Sequence, residues 1–170
     1  MVISLTQSLG PIFGSRVVTP GLGFLYAATL GGYLGPFQPG QRAASHISPM
    51  ILTNNNEAFM GIGAAGGAKI NSAIVQAISR IIDRNLSLPE ALAAPRVHPT
   101  KDGILIEVPD STSWSTKDFQ FLRDNGFVLE QQKEPFRFGR VHVVMKKGGN
   151  WLGAADPDGE GAAAGPKEAN

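Results

Sequence analysis

"GIGAAGGAKINSAIVQAISRIID", Gly61 to Asp83, is the stretch on which the fold turns. Its first six residues satisfy G-x-G-x-x-G, a short apolar run precedes them and a helix pattern comes after, as in a dinucleotide-binding turn. Ile70, Ala73, Ile74, Ala77, Ile78, Ile81 and Ile82 recur at helical spacing, while Lys69, Asn71, Ser72, Gln76, Ser79, Arg80 and Asp83 share the polar face. The spacing therefore predicts an amphipathic helix that begins just after Gly67.

The elements downstream of the helix decide against a nucleotide. A dinucleotide-binding unit needs a parallel strand soon after its helix, with an acid at that strand's end to hold the ribose. Here the helix leads into a second one, "SLPEALAA", capped by Ser87, with Pro89 in its first turn and Pro95 ending it, and then into "PRVHP". Asp83 lies inside the first helix and cannot serve a later strand. A phosphate-binding P-loop fits no better, because Ile70 stands where Ser or Thr would coordinate magnesium. The chain holds 21 glycines, so a bare glycine pattern carries little weight. A dinucleotide-binding oxidoreductase is the most distant reading, and no cofactor is expected.

Two readings of the loop survive. Gly66 and Gly67 at a helix N-terminus let the backbone approach a ligand closely and aim free N–H groups at negative charge, which points to an oxyanion. Alternatively, glycine merely relieves crowding in a tight strand-to-helix turn.

Outward from the loop, "PMILT", the turn "NNNE" and "EAFMGI" predict a β-hairpin ending at Gly61. "VISLTQSL", Val2 to Leu9, alternates as a half-buried strand does, "FLYAA" is a second short strand, and Gly31 to Arg42 is a long loop. Beyond "PRVHP" come strand "GILIEV", helix "STKDFQFLRDNG" stopped by Gly126, strand "FVLEQQ" and hairpin "RVHVVMKKGGNWLGAA". The expected organisation is one α/β domain over residues 1–155 and a flexible, polar, glycine-rich tail over 156–170.

Composition narrows the function classes. With 42% hydrophobic and 17% charged residues the chain is of globular type, and a net charge of +1 with no basic block argues against nucleic acid. No apolar run approaches the roughly 20 residues of a membrane span, and no signal-peptide layout is seen at the N-terminus. A soluble protein is expected, its compartment undetermined. There is no cysteine, and His98 and His142 lack a second ligand at metal spacing, so no metal site is expected. "DPDGEG", with Asp156 and Asp158, resembles a calcium loop only superficially, since the twelfth-position Glu is lacking. Arg96 in "APRVHP" is expected to tie a buried turn together through its planar fork of donors. Trp114, Phe119 and Phe121 read as mixed core and surface contacts.

In order and spacing, "QRAASHISPMIL", "GIGAAGGAKI" and "VQAISRIIDRNLSLPEALAAPRVH" resemble the small subunit of gamma-glutamyltranspeptidases. The likeness reaches back to "SLTQSLGPIFGSRVVTPGLGFLY" and forward to "WLGAADP". It implies an N-terminal-nucleophile hydrolase fold, an αββα sandwich of two sheets between helical layers, incomplete here at its N-terminal strand. The chemistry implied is acyl transfer through a threonine exposed by self-cleavage of a precursor, with its α-amine as base and backbone N–H groups stabilising the oxyanion. Carried over by position, Gly66 and Gly67 are the oxyanion-hole glycines and Ser8 supports the nucleophile. Ser45 matches the first of two serines that hold the substrate's α-carboxylate, with His46 in place of the second. His46, protonated, would attract a carboxylate; equally, it reads as a loop histidine in solvent.

The resemblance has departures. The family's nucleophile lies before the segment equivalent to Val2–Leu9, so it falls outside this chain. Ser4 and Thr6 do not replace it, since each has a peptide bond where a free α-amine is needed. Where the family grips the substrate's amine with an amide and an acid, the substrate-binding position here begins at Thr29 and runs through Leu30, Gly31 and Gly32, all uncharged. The expected guests are gamma-glutamyl amides of the glutathione type. The expected partner is a large-subunit-like N-terminal region or a second copy, because a sheet short of one strand presents an unpaired edge. A non-catalytic relative acting as a structural or binding module predicts the same glycines and helix.

Overall fold

A computed structural model describes residues 1–28, 38–42, 45–108, 114–132 and 138–165. The chain divides into a main unit, residues 1–6 and 46–170, and a loop unit, residues 7–45.

The main unit is organised around a four-stranded antiparallel sheet of order β1-β2-β6-β7, formed by Met50–Asn54, Glu57–Ala65, Arg140–Lys147 and Asn150–Ala155. Both hairpins turn on paired left-handed residues, Asn55 and Asn56 in the first and Gly148 and Gly149 in the second, as two-residue connections between twisted strands require. A second sheet of order β3-β4-β5 contains Val97–Pro99, Ile104–Glu107 and Leu129–Gln132. Strands β4 and β5 run parallel, so they need a crossover, and helix α3, Thr116–Asp124, lies between them in the chain.

Helix α1, Ile70–Ile82, comes after a single 3-10 turn, Gly67–Lys69, and helix α2 spans Leu88–Ala93. Ser87 and Glu90 form a reciprocal capping box at the start of α2, and Ser115 and Asp118 do the same for α3. Ile70, Ala73, Ile74, Ala77 and Ile81 of α1, with Leu88, Ala91 and Leu92 of α2, pack on Met60, Ile62 and Ala64 of β2, Val141 and Val143 of β6 and Ala154 of β7. The strand residues alternate, so one sheet face is core and the other is open to a different neighbour.

That neighbour is the extended segment Met1–Thr6. It contains no assigned strand, contrary to the expectation for Val2–Leu9. Its alternation persists with the opposite facing: Ser4 donates to the Ile62 carbonyl at 2.8 Å, while Ile3 and Leu5 are 71% and 74% exposed. The reason is steric. A Cβ on Gly61 would lie 2.8 Å from Val2 Cγ1 and one on Gly63 3.1 Å from Thr6 Oγ1, so the glycines of β2 accept the small side chains of the segment. The first two glycines of the G-x-G-x-x-G pattern thus sit inside an antiparallel strand, which is incompatible with a dinucleotide turn.

Other boundaries also move. Strand β2 continues to Ala65 rather than ending at Gly61, and "VHP" contributes the unforeseen strand β3. In the loop unit, "FLYAA" provides only an isolated bridge between Leu25 and Val18. There the Ser15 amide donates to the Tyr26 carbonyl at 2.9 Å and the Ala28 amide to that of Leu9 at 2.9 Å. Much of the expected loop Gly31–Arg42 lies outside the described residues. Asp156, placed by the sequence at the start of the tail, is 1% exposed, and the ring of His142 stands where a Cβ on Gly161 would be. Among the described residues no helix is long and apolar enough to cross a membrane.

Candidate active site

The junction between β2 and α1 is built from three glycines with separate reasons. Gly66 has φ +147°, and a Cβ there would lie 2.7 Å from Gly139 Cα and 2.9 Å from the Phe138 carbonyl oxygen. Gly139 in turn has Ala73 Cβ 2.5 Å and the Lys69 carbonyl oxygen 2.8 Å from where its own Cβ would stand. Gly67 has φ +59°, a left-handed turn conformation. Crowding therefore accounts for the lack of a side chain at Gly66.

It does not account for the amides. The Lys69 N–H donates to the Gly66 carbonyl at 3.2 Å and the Ile70 N–H to that of Gly67, which closes the turn through carbonyls. Among the described residues neither the Gly66 nor the Gly67 N–H donates to a protein acceptor. Both glycines are partly accessible, and they stand at the positive end of a 13-residue helix. The two readings left open by the sequence are thus compatible.

His46, Lys69 and His98 lie close enough to influence one another: burial first, then the charges of Lys69 and His46, hold the His98 ring below the usual imidazole pKa. Ser48 donates to Asn71 Oδ1 at 2.6 Å and fastens the segment after His46 to the first turn of α1. Lys69 Nζ and the Arg96 guanidinium lie over the Phe138 ring at 5.7 Å and 5.9 Å. His98 Nδ1 stands 2.8 Å from Ser72 Oγ, which donates to the Lys69 carbonyl at 3.1 Å. Gln76 reaches across from α1 to pair with both the N–H and the carbonyl of Val97, at 3.0 Å and 2.7 Å, and so seats β3 beside the site.

Beneath the site, Arg96 is 3% exposed and joins both sheets. It binds Glu107, at the end of β4, through Nε at 2.8 Å and its second terminal nitrogen at 3.3 Å, and Asp156, just after β7, at 2.6 Å. Asp156 also accepts the Val141 N–H at 3.0 Å. Burial alone would lower the Arg96 pKa, but the hydrogen bond Arg96 donates to Asp156 and the charges of both acids raise it overall. One guanidinium serves two buried carboxylates, and burial pushes Glu107 above its ordinary range despite the pairing. The fork expected of Arg96 is present, with acceptors that the sequence did not single out.

The structure therefore brings together Gly66, Gly67 and the neighbourhood of His46. Ser8 and Ser45 belong to the loop unit, where both are exposed; Ser8 Oγ accepts the Gly10 N–H at 3.1 Å. Thr29 lies outside the described residues. Ser72, Glu107 and Asp156 were not foreseen in the roles they take, although "PRVHP" pointed to the right corner. A hollow of about 320 Å³ lined by Leu86, Leu88, Met145 and Leu152 lies against Ile81, at the far end of α1 from the glycines.

Two sheets, with helices packed on one of them, are arranged as in solved structures of the N-terminal-nucleophile hydrolase fold. A gamma-glutamyltranspeptidase from Pseudomonas nitroreducens complexed with L-DON superposes with a TM-score of 0.78 at 29% identity, over 97% of this chain and 93% of that one. Residues 1–166 match the gamma-glutamyltranspeptidase family, and the chain belongs to it. Curated relatives include a glutathione hydrolase proenzyme of Pseudomonas aeruginosa, 32% identical over 94% of this chain, and the acylase ACY 1 proenzyme of a Pseudomonas species, 34% identical over 61%. The matched chain spans 31% and 20% of those relatives' own lengths.

Proposed function

We propose that this chain provides the oxyanion-stabilising and carboxylate-binding side of an acyl-transfer site that cleaves gamma-glutamyl amides, with transfer to water or to an amino acid. The observation that carries the reading is the pair of N–H groups at Gly66 and Gly67 that have no acceptor among the described residues, at the head of α1 in a member of this family. Two preorganised donors at a helix N-terminus suit the tetrahedral intermediate of acyl transfer, where the carbonyl oxygen gains a full charge. His46, with Ser45 preceding it, would hold the substrate's carboxylate, and Ser8 would support the nucleophile.

In this reading the attacking hydroxyl would be that of a threonine not among these 170 residues. Ser4 is committed to the Ile62 carbonyl, and neither Ser4 nor Thr6 has the free α-amine that would serve as base. A large-subunit-like partner would complete the pocket. A second reading, cleavage of an acyl amide without an α-amine, is favoured by the uncharged Thr29–Gly32 sequence and by the acylase among the relatives.

The test uses the native gene product and the 170-residue chain side by side. Mass spectrometry is expected to find a longer precursor cleaved before a threonine. The native product, but not the chain alone, is expected to release the chromophore from a gamma-glutamyl anilide. Faster turnover of a glutaryl anilide would select the second reading. Turnover by the isolated chain would refute the external nucleophile, and a native product inert to both substrates would leave a non-catalytic module.

A further inference from the structure

We propose that His98 is a positioning residue for the Gly66–Gly67 turn, acting in its Nδ1–H tautomer through Ser72 on the carbonyl of Lys69. The proton count carries the assignment. Ser72 has one hydroxyl hydrogen and two neighbours, the Lys69 carbonyl at 3.1 Å and His98 Nδ1 at 2.8 Å. A carbonyl only accepts. If the Ser72 hydrogen goes to the Lys69 carbonyl, Nδ1 must carry a hydrogen and donate to Ser72 Oγ, and both contacts are then hydrogen bonds. In the Nε2–H tautomer Ser72 would have to choose, and one contact would be lost.

The relay ends where the amides are set. The Lys69 peptide closes the turn, its N–H donating to the Gly66 carbonyl, and its carbonyl oxygen lies against Gly139, which also crowds Gly66. A shift of that carbonyl would tilt the two amides. His98 is well placed to prevent it, because β3 is held by pairing with β4 and by Gln76. Burial, with Lys69 and His46 nearby, also favours the uncharged ring.

Its effect on catalysis rests on the function proposed above, so the test has two independent arms. In the full chain labelled with nitrogen-15, long-range nitrogen–proton correlation at neutral pH should show His98 protonated at Nδ1. Ser72→Ala should abolish that preference and shift the Gly66 and Gly67 amide resonances. In the native protein, His98→Ala should lower kcat by between about tenfold and a hundredfold with little change in KM, as expected for misplaced transition-state donors. His98→Asn, whose amide nitrogen can stand near the Nδ1 position, should restore much of the loss. An Nε2–H tautomer, or glycine amides indifferent to Ser72→Ala, overturns the proposal whatever the activity. If the native protein lacks acyl-transfer activity, the functional reading falls while the spectroscopic arm still decides the positioning.

Discussion

Gly66 and Gly67 are both glycine, but for different reasons. At Gly66 an added methyl meets the backbone of Phe138 and Gly139, just before β6, which has no rotamer through which to yield, so Gly66→Ala is expected to cost about 1–3 kcal/mol or more. At Gly67 the left-handed φ is itself expected to cost alanine about 1–2 kcal/mol. Urea denaturation should show both variants less stable than the parent, and a Gly66→Ala protein as stable as the parent would contradict the packing described. Arg96 is more severe. Arg96→Met strands two buried carboxylates and should cost about 3–5 kcal/mol by the same measurement, and Arg96→Lys should rescue little because one ammonium cannot reproduce the fork. His98 gives a pH signature. Its folded pKa is depressed, so the unfolded chain binds more protons, and its contribution is complete above the unfolded value of about 6.5 and is lost as pH falls through the folded value. The fall in the urea midpoint between about pH 7 and about pH 5 should be shallower in His98→Asn than in the parent.

At the scale of elements, legibility depends on how local the cause is. Helix α1 could be read because its isoleucine stripe and its glycine start lie within one stretch of sequence, and the two capping boxes are equally local. Strand β3 was missed because three residues beside prolines carry no period. It exists through β4 and through a glutamine 21 positions earlier in the chain. The first residues show the converse: their alternation was legible but their facing was not, since that depends on glycines about 60 residues away. Gly63→Val should therefore expel Thr6 and release the segment. Hydrogen exchange would register this as faster exchange over residues 2–6 with α1 unchanged, whereas unchanged protection would show that the glycines do not seat it. At the candidate site the loop and its glycines were legible, and the His98–Ser72 relay was not, because it joins two elements through one hydroxyl.

Across the whole molecule, one face of the four-stranded sheet is filled and the first segment turns Ile3 and Leu5 outward, while Ile51 on β1 and Trp151 and Leu152 on β7 are also exposed along the two edge strands. Such apolar edges invite pairing, and the isolated chain is expected to self-associate or to capture a complementary large subunit. Sedimentation showing a stable monomer would contradict this, and Ile3→Lys with Leu5→Lys should shift the distribution towards smaller species. The buried Arg96 has a further consequence. Its two acids close the two sheets from opposite sides, Glu107 from one and Asp156 from the other, so neither sheet can come apart without stranding a charge. Each sheet also has a fluorophore bonded to it or within it: Trp114, outside the strands, whose indole N–H donates to the Glu107 carbonyl at the end of β4, and Trp151 on β7. With either tryptophan replaced by phenylalanine, the remaining one should report the same melting temperature, because a single guanidinium makes the two halves cooperate as one thermodynamic body.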